Sequence, residues 1–346
     1  MAADRLKPAL DVDIPACAWI LRFDSEGGAE PGSASDVSVL GASEEFVWLH
    51  LDRADARLRD VLESIGCLTP ESRDALGGSV DHQFVEYVDD VLCGAIVDHQ
   101  QAIDGVRSET DFLRFALGRG FLLTSRRSPL YATEAVRRSL ADGSKAQSPE
   151  ALFEMIVSQV CDCSGRMLRD VAVIFDKIEE NVVIEGRGRD QRAGLGRARR
   201  KTIRLARQVN GIQSTMHRLE ETAAAHERHE LGEIAASLAQ RADSLSRDAA
   251  NLQDRSRVLQ EEINAVLALE TNDRLYLLTT LTAILLPATF VTGYFGMNTK
   301  QLLFSENDNG TIYATLLCIV ASAAAILIMR MLGITEAASM KRDARD

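Results

Sequence analysis

One helical stripe between residues 275 and 296 combines hydroxyl groups, bulky apolar groups and glycines. Its members recur at alternating steps of four and three residues: Leu275, Thr279, Thr282, Leu286, Thr289, Gly293 and Gly296. One interpretation is helix packing alone, in which threonine hydroxyls bond to carbonyls of the preceding turn and small residues allow close approach. The other is the wall of a pore, with wettable threonine rings between leucine constrictions that can exclude water.

The stripe lies in the first of two apolar segments long enough to cross a membrane. Leu275–Phe295 holds no charged residue and spans about 31 Å as a helix. A second uncharged run, Thr311–Met329, predicts a second transmembrane helix over residues 311–332 and a tail over 333–346. Arg274 precedes the first segment and several basic residues follow the second. The positive-inside rule therefore places both termini in the cytoplasm.

The two segments also limit the chemistry of any pathway between them. Neither contains Asp, Glu or His, and Cys318 carries their only thiol. Direct coordination of zinc inside a pore is therefore unsupported by these residues. A cation that keeps most of its hydration shell suits them better.

The overall composition excludes several classes of function. The chain of 346 residues has 39 basic and 51 acidic side chains, and this formal charge of −12 argues against general nucleic-acid binding. Six cysteines form no disulfide framework, as expected in a reducing compartment. No nucleophile paired with a base and no phosphate-cradling glycine loop is evident, so we predict neither an enzyme nor a permanently bound cofactor.

Residues 1–147 are predicted to form a cytoplasmic α/β domain. Gly118-Arg119-Gly120 predicts a hairpin turn, Ala54–Ile65 and Pro70–Leu76 have helical character, and Gly27–Ser38 is predicted to be a loop. Short apolar or alternating runs predict five strands: Ala16–Phe23, Glu45–Asp52, Val91–Val97, Phe112–Leu117 and Phe121–Ser125.

Residues 148–228 are predicted to form a helical hairpin, and residues 229–296 a stalk helix that continues into the first span. Ser148 and Pro149 mark the start of the first helix, which extends to about Ile184. Glycines at positions 186, 188, 194 and 196, within an arginine-rich run, predict a broken tip. From Leu231 onward, large residues seven apart alternate with small ones, which predicts a heptad seam against the preceding helix.

The most specific motif of the chain ends the first span. Gly296-Met297-Asn298 closes the first of two C-terminal spans, and this arrangement resembles the CorA family of divalent metal ion transporters. The runs Leu286–Gly293 and Trp48–Arg53 are most similar to its zinc-transporter branch, ZntB. The resemblance implies an α/β cytoplasmic domain followed by long coiled-coil helices and two C-terminal transmembrane helices, assembled as a homopentamer.

The resemblance also implies roles for particular residues. Gly296, Met297 and Asn298 would form the selectivity entrance for the metal ion, at the start of an outer loop over residues 297–310. The stripe from Leu275 to Gly293 would line the pore. Three carboxylates of the stalk helix would be candidates for a regulatory metal site between subunits: Asp254, Glu261 and Glu262. An ordinary solvated helix flank is the simpler alternative for them.

We therefore expect transport of divalent metal cations across the cytoplasmic membrane through a homopentameric pore, with Zn²⁺ slightly favoured. An alternative is a channel for Mg²⁺, Co²⁺ or Ni²⁺ of the CorA type. A second alternative is a membrane-anchored coiled-coil sensor or scaffold without transport, which the five threonines of the first span disfavour. The expected partners are membrane lipid and further copies of this chain, with no nucleic acid.

Overall fold

A computed structural model describes residues 14–38, 40, 45–102, 105–183, 188–297 and 309–331. The chain divides into two units, residues 1–260 and 261–346, with the boundary inside one long helix. The first unit contains a β-sheet and long helices. The second contains the apolar C-terminal helices.

The described residues form seven strands and eight helices. The strands are β1 Cys17–Phe23, β2 Ala29–Pro31, β3 Phe46–Asp52, β4 Phe84–Val88, β5 Val91–Ala102, β6 Gly105–Gly118 and β7 Phe121–Arg126. The helices are α1 Ala34–Ser38, α2 Leu58–Ser64, α3 Pro70–Gly77, α4 Tyr131–Ala141, α5 Pro149–Val183, α6 Gly188–Ala225, α7 His229–Phe295 and α8 Gly310–Met331.

The strands form one sheet with the order β2-β1-β3-β7-β6-β5-β4. Neighbouring strands are antiparallel, except that β3 and β7 run parallel. All five predicted strands are confirmed, although β5 and β6 are longer than predicted. Gly120, with a φ of 75°, lies in the predicted turn between β6 and β7, a conformation that glycine adopts without steric cost.

Alternation along the strands sorts the apolar side chains into two layers. In β1, Trp19 and Phe23 belong to one layer and Ile20 to the other. Trp48 and Leu49 of β3 divide in the same way. The first layer packs against α4 and the long helices, and the second is covered by α2 and α3. Successive strand side chains point to opposite faces, so both faces of this sheet are buried.

The predicted loop over Gly27–Ser38 is wrong in part, because it contains β2 and α1. β2 is a three-residue edge strand, too short to show alternation in the sequence. α1 begins with a capping interaction, in which the Ser33 N–H donates to the Asp36 carboxylate at 2.6 Å. The strand β4 and the helix α4 were also not predicted from the sequence.

The long helices begin and end largely where the sequence indicated. The Ser148 hydroxyl accepts a hydrogen bond from the Ala151 N–H at 3.0 Å, which confirms the predicted cap of α5. The predicted break at residues 194 and 196 is wrong, because Gly194 and Gly196 lie inside α6. Leu195 between them is fully buried, and such packing outweighs a cost of about 1 kcal/mol for each helical glycine. Gly188, which was also predicted to lie in the tip, begins α6, and Gly186 lies outside the described residues.

The predicted seam of α7 is confirmed within the first unit. Leu231, Ala235 and Leu238 are buried in the same cluster as Ile212 and Met216 of α6. Ion pairs at the edge of the seam tie α7 to α5, including Arg241 to Asp162 at 2.7 Å and Arg255 to Asp176 at 2.7 Å. Alternating large and small residues thus let the helices approach closely, while charged pairs line the edges.

Candidate ion pathway in the C-terminal helices

The C-terminal part of α7 and the helix α8 expose an unusual amount of apolar surface. Both helices contain a window long and apolar enough to cross a membrane, and only 6% of each window is buried within the chain. Leu277, Leu286 and Phe290 of α7 and Ile312 of α8 are among the large apolar side chains that remain exposed. Because water disfavours such surfaces, these helices require lipid or other chains around them.

The two helices contact each other along one face of α7. The Ser322 hydroxyl of α8 donates to the Ile284 carbonyl at 3.2 Å, and the Cys318 thiol donates to the Ala288 carbonyl at 3.9 Å. Val291 on the same face is buried. The contact therefore occupies the face of α7 that carries Ile284, Ala288 and Val291.

The predicted stripe lies on the opposite face of α7. All seven of its residues are exposed in the single chain, with Leu275 at 57% and Leu286 at 69%. The stripe therefore lies away from α8, and both interpretations, helix packing and a pore wall, stay open. A neighbouring chain or a water-filled lumen can still face it.

The threonine hydroxyls of the stripe are bonded to their own helix. Thr279 donates to the Leu275 carbonyl at 2.8 Å and Thr289 to the Leu285 carbonyl at 2.8 Å. Thr282 is shared between two carbonyls of the preceding turn. These bonds are the ones that helix packing alone predicts. They also fix the chemistry of the exposed face, because a hydroxyl that donates its hydrogen presents only acceptor lone pairs outward.

The first two residues of the predicted entrance, Gly296 and Met297, are hydrogen-bonded to the last turn of α7. The Gly296 N–H donates to the Thr292 carbonyl at 2.9 Å and the Met297 N–H to the Tyr294 carbonyl at 3.4 Å. A Cβ at position 296 would lie 3.0 Å from the Thr292 oxygen, so a side chain there would crowd the last turn. Asn298, the third residue of the predicted entrance, lies outside the described residues.

The three carboxylates of the predicted regulatory site share the stalk helix α7. Asp254 is exposed and lies 3.6 Å from the Arg257 guanidinium. Glu261 is exposed, whereas one carboxylate oxygen of Glu262 is buried and has no hydrogen-bond partner among the described residues. Across the described parts of one chain, no three His, Cys, Asp or Glu side chains are grouped so that they could hold a metal ion.

Comparisons with known proteins fit this architecture. The sequence model of the family described as CorA-like Mg²⁺ transporter protein matches residues 43–332. The zinc transport protein ZntB of Photorhabdus laumondii is 24% identical over 287 residues, which cover 81% of this chain and 84% of that protein. ZntB of Yersinia pseudotuberculosis is 20% identical over 327 residues, which cover 92% of this chain and 96% of that protein.

Solved structures share the fold over most of the chain. The full-length CmaX protein superposes with a TM-score of 0.79 at 20% identity, covering 93% of this chain and 99% of CmaX. The complete CorA magnesium transporter of Methanocaldococcus jannaschii superposes with a TM-score of 0.68 at 14% identity, covering 90% of this chain and 98% of that protein. At these identities the likeness shows the fold, whereas the family match extends from the first sheet through both apolar helices. The chain therefore belongs to the CorA family of divalent cation transporters.

Proposed function

We propose that this chain is the subunit of a homopentameric channel that carries divalent metal ions across the cytoplasmic membrane, with both termini in the cytoplasm. The observation that supports the proposal is the stripe of α7, because its threonines and leucines are exposed on the face opposite to α8. One such face cannot enclose a pathway. Five copies around an axis would bring their stripes together as a wall.

The hydrogen bonds of the threonines suit a hydrated cation. Thr279, Thr282 and Thr289 use their hydrogens on their own helix carbonyls, so their oxygens act as acceptors. Water molecules bound to a cation direct their hydrogens outward and need acceptors. Leu275 and Leu286 would form apolar rings that interrupt the water column when the pore is closed. Gly296, Met297 and Asn298 would supply neutral oxygens at the entrance.

The favoured ion is Zn²⁺. Its support is the likeness along most of the chain to proteins named as zinc transport proteins. Transport of Mg²⁺, with Co²⁺ or Ni²⁺, is the second candidate, and it is favoured by a pathway of neutral oxygen groups, which suits a hard, strongly hydrated ion. Neither candidate involves a permanently bound cofactor or catalysis of a reaction.

Flux into proteoliposomes tests both candidates. The purified full-length protein would be reconstituted and supplied with Zn²⁺, Mg²⁺ or Co²⁺, each with and without a pH gradient. We expect saturable uptake of Zn²⁺ above that of Mg²⁺, and faster uptake of Mg²⁺ would instead select the second candidate. Absence of flux for all three ions, in vesicles that contain correctly assembled protein, would favour a sensor or scaffold without transport.

The variant Asn298→Ala connects the flux to the proposed entrance. It removes the amide while changing little apolar contact, so we expect a loss of at least about tenfold in uptake, the ratio that corresponds to one lost charge-assisted hydrogen bond. Gln301→Ala, three residues further into the outer loop, is the matched amide control and should transport normally. Normal uptake by an assembled Asn298→Ala protein would refute the assignment of the entrance.

A further inference from the structure

A cleft in the first unit has no part in the proposed ion pathway. It is a cavity of about 710 Å³ where β1 begins and where β3 and β7 end, beside α4. A second cavity of about 480 Å³ shares Trp19, Arg126 and Glu134 with it. Volumes of this size are typical of sites for small organic ligands.

The charged side chains on the cavity wall are unequally neutralised. Arg57 makes two hydrogen bonds to Asp55, at 3.0 and 2.7 Å, and Arg137 makes two to Glu134, also at 3.0 and 2.7 Å. Arg126 has neither an ion pair nor a side-chain hydrogen bond with any residue that the structure describes, and its Nε atom is fully buried. Arg126 is therefore the cation of the cleft whose charge is not met by a contact.

Arg126 is half-buried, and an unpaired charge in such a position is unfavourable. Burial lowers the pKa of Arg126, and the more distant carboxylates of Asp52 and Glu134 only oppose that effect. A guanidinium nevertheless stays protonated in proteins. An ionised group removed from water without a partner is destabilising until a counter-ion meets it.

A second unpaired group lies at the junction of the two cavities. Trp19 is 8% exposed, and its indole Nε1 atom has no hydrogen-bond partner within the described structure. The ring itself is held firmly, because it stacks on His50 at 4.0 Å and has the Arg137 guanidinium 5.7 Å from its centroid. A buried indole N–H usually has a partner. Trp19 and Arg126, each with one donor that lacks a partner, therefore both line the two cavities.

We propose that this cleft binds an organic oxyanion of metabolite size, a phosphate ester or a carboxylate, with Arg126 as its principal contact. The planar guanidinium matches two oxygens of such a group. Asp52 and Asp55 on the same wall can accept hydrogen bonds from hydroxyl or amino groups of the ligand. These carboxylates would disfavour a bare polyanion, so the ligand should carry hydrogen-bond donors beside its anionic group.

Calorimetric titration of the full-length protein in detergent tests the proposal with two probes. AMP represents a phosphate ester with hydroxyl groups, and L-malate represents a carboxylate with one. Protein and buffers are freed of metal on a solid chelating resin before the titrations, so that metal ions cannot bridge probe and protein, and NaCl of equal ionic strength is the blank. We expect saturable binding of at least one probe, and the probe that binds more tightly identifies the class of oxyanion. Binding of neither probe at millimolar concentration, or an equal response to NaCl, would overturn the proposal.

Three variants locate the binding. Arg126→Gln should weaken it by about tenfold or more, the loss expected for a charge-assisted bidentate contact. Arg127→Gln, at the exposed neighbouring arginine, is the matched control and should bind normally. Ala18→Leu fills the cavity without altering a charge and should also weaken binding, which keeps the test informative if Arg126→Gln does not fold. Undiminished affinity in either folded cavity variant would place the ligand elsewhere. Asn298→Ala should bind normally, so this result stands apart from the outcome of the flux experiment.

Discussion

The two units of this chain bury apolar surface in different ways. The first unit encloses its largest side chains completely, and Trp48, Phe115 and Leu51 are all without exposed surface. The second unit leaves nearly all of its most apolar windows exposed. The apolar faces of the first unit are thus satisfied within one chain, whereas those of the second depend on lipid and on further chains.

The two units also differ in whether their apolar parts hold charged side chains. Buried ionisable groups such as Arg114 and Asp98 occur in the first unit, where carbonyls and N–H groups of the fold meet them. The described part of the membrane spans offers hydroxyls, carbonyls, one thiol and one thioether, and no ionisable carboxylate or imidazole. Stability is therefore expected to depend mainly on the first unit, and transport mainly on the second.

The largest expected effect is a loss of stability in the first unit alone. Phe115→Ala removes a buried ring whose centroid lies 4.7 Å from that of Phe153, and we expect it to lower the free energy of unfolding by about 3–5 kcal/mol. Denaturant unfolding followed by tryptophan emission measures it, because Trp19 and Trp48 both lie in this unit. Phe290→Ala, at a ring that is 73% exposed in the chain, should change this transition by less than about 0.5 kcal/mol. Equal losses in both variants would contradict the comparison.

The second prediction concerns the stripe, whose leucines we expect to control leak. Leu286→Ser replaces an apolar constriction with a hydroxyl, so water should enter more readily and resting conductance should rise. Leu277→Ser is the matched control, because Leu277 is 70% exposed but lies off the stripe. Single-channel or liposome leak measurements should therefore show a rise for the first variant only. A rise in neither variant would mean that the stripe faces another helix, and a rise in both would mean that the leak does not depend on the stripe.

The sequence was most informative where one pattern determined both fold and role. Unbroken apolar runs predicted both spans, and apolar or alternating runs predicted all five interior strands of the sheet, whereas the edge strands β2 and β4 were missed. Sequence patterns failed where tertiary contacts determine the local structure. Gly194 and Gly196 remain helical because Leu195 is buried between them, which no local rule detects. The cleft was missed because its charged residues come from the end of β3, the segment after it, β7 and α4, which are far apart in the sequence.

The third prediction is a pH dependence of stability in the first unit. Asp98 accepts hydrogen bonds from the Ala132 N–H at 2.8 Å and the His99 N–H at 2.7 Å, but complete burial dominates and raises its pKa to about 7. The folded pKa lies above the usual value of 3.8. The stabilising contribution of the protonated acid is therefore present below about pH 4 and is lost as the pH rises through 7. The complete loss of this contribution lowers the free energy of unfolding by roughly 4 kcal/mol.

Asp98→Asn isolates this effect. Burial lowers the pKa of His50 and lowers the pKa of His99 to about 4. Both histidines therefore make the protein more stable as the pH rises toward about 6.5, which is opposite to the effect of Asp98, and both remain in the variant. Thermal unfolding of wild type and variant from pH 4 to pH 8 should show the variant becoming relatively more stable as the pH rises. Asp142→Asn, at an exposed carboxylate, is the control and should follow the wild type. A constant difference between Asp98→Asn and wild type would refute the titration of this buried acid.

The smallest effect is expected in the stalk helix α7, at the proposed regulatory carboxylates. Carboxylates brought together between subunits would repel, and a divalent ion would relieve that repulsion. Removing metal with a chelator should then increase hydrogen exchange of residues 230–270. The double variant Glu261→Gln with Glu262→Gln should show the same exchange with and without metal, because the repulsion is gone.

Glu233→Gln, at an exposed carboxylate near the start of the same helix, should keep the response of the wild type. Equal protection of the wild-type helix in both conditions would assign Asp254, Glu261 and Glu262 to a solvated flank and leave gating to another signal.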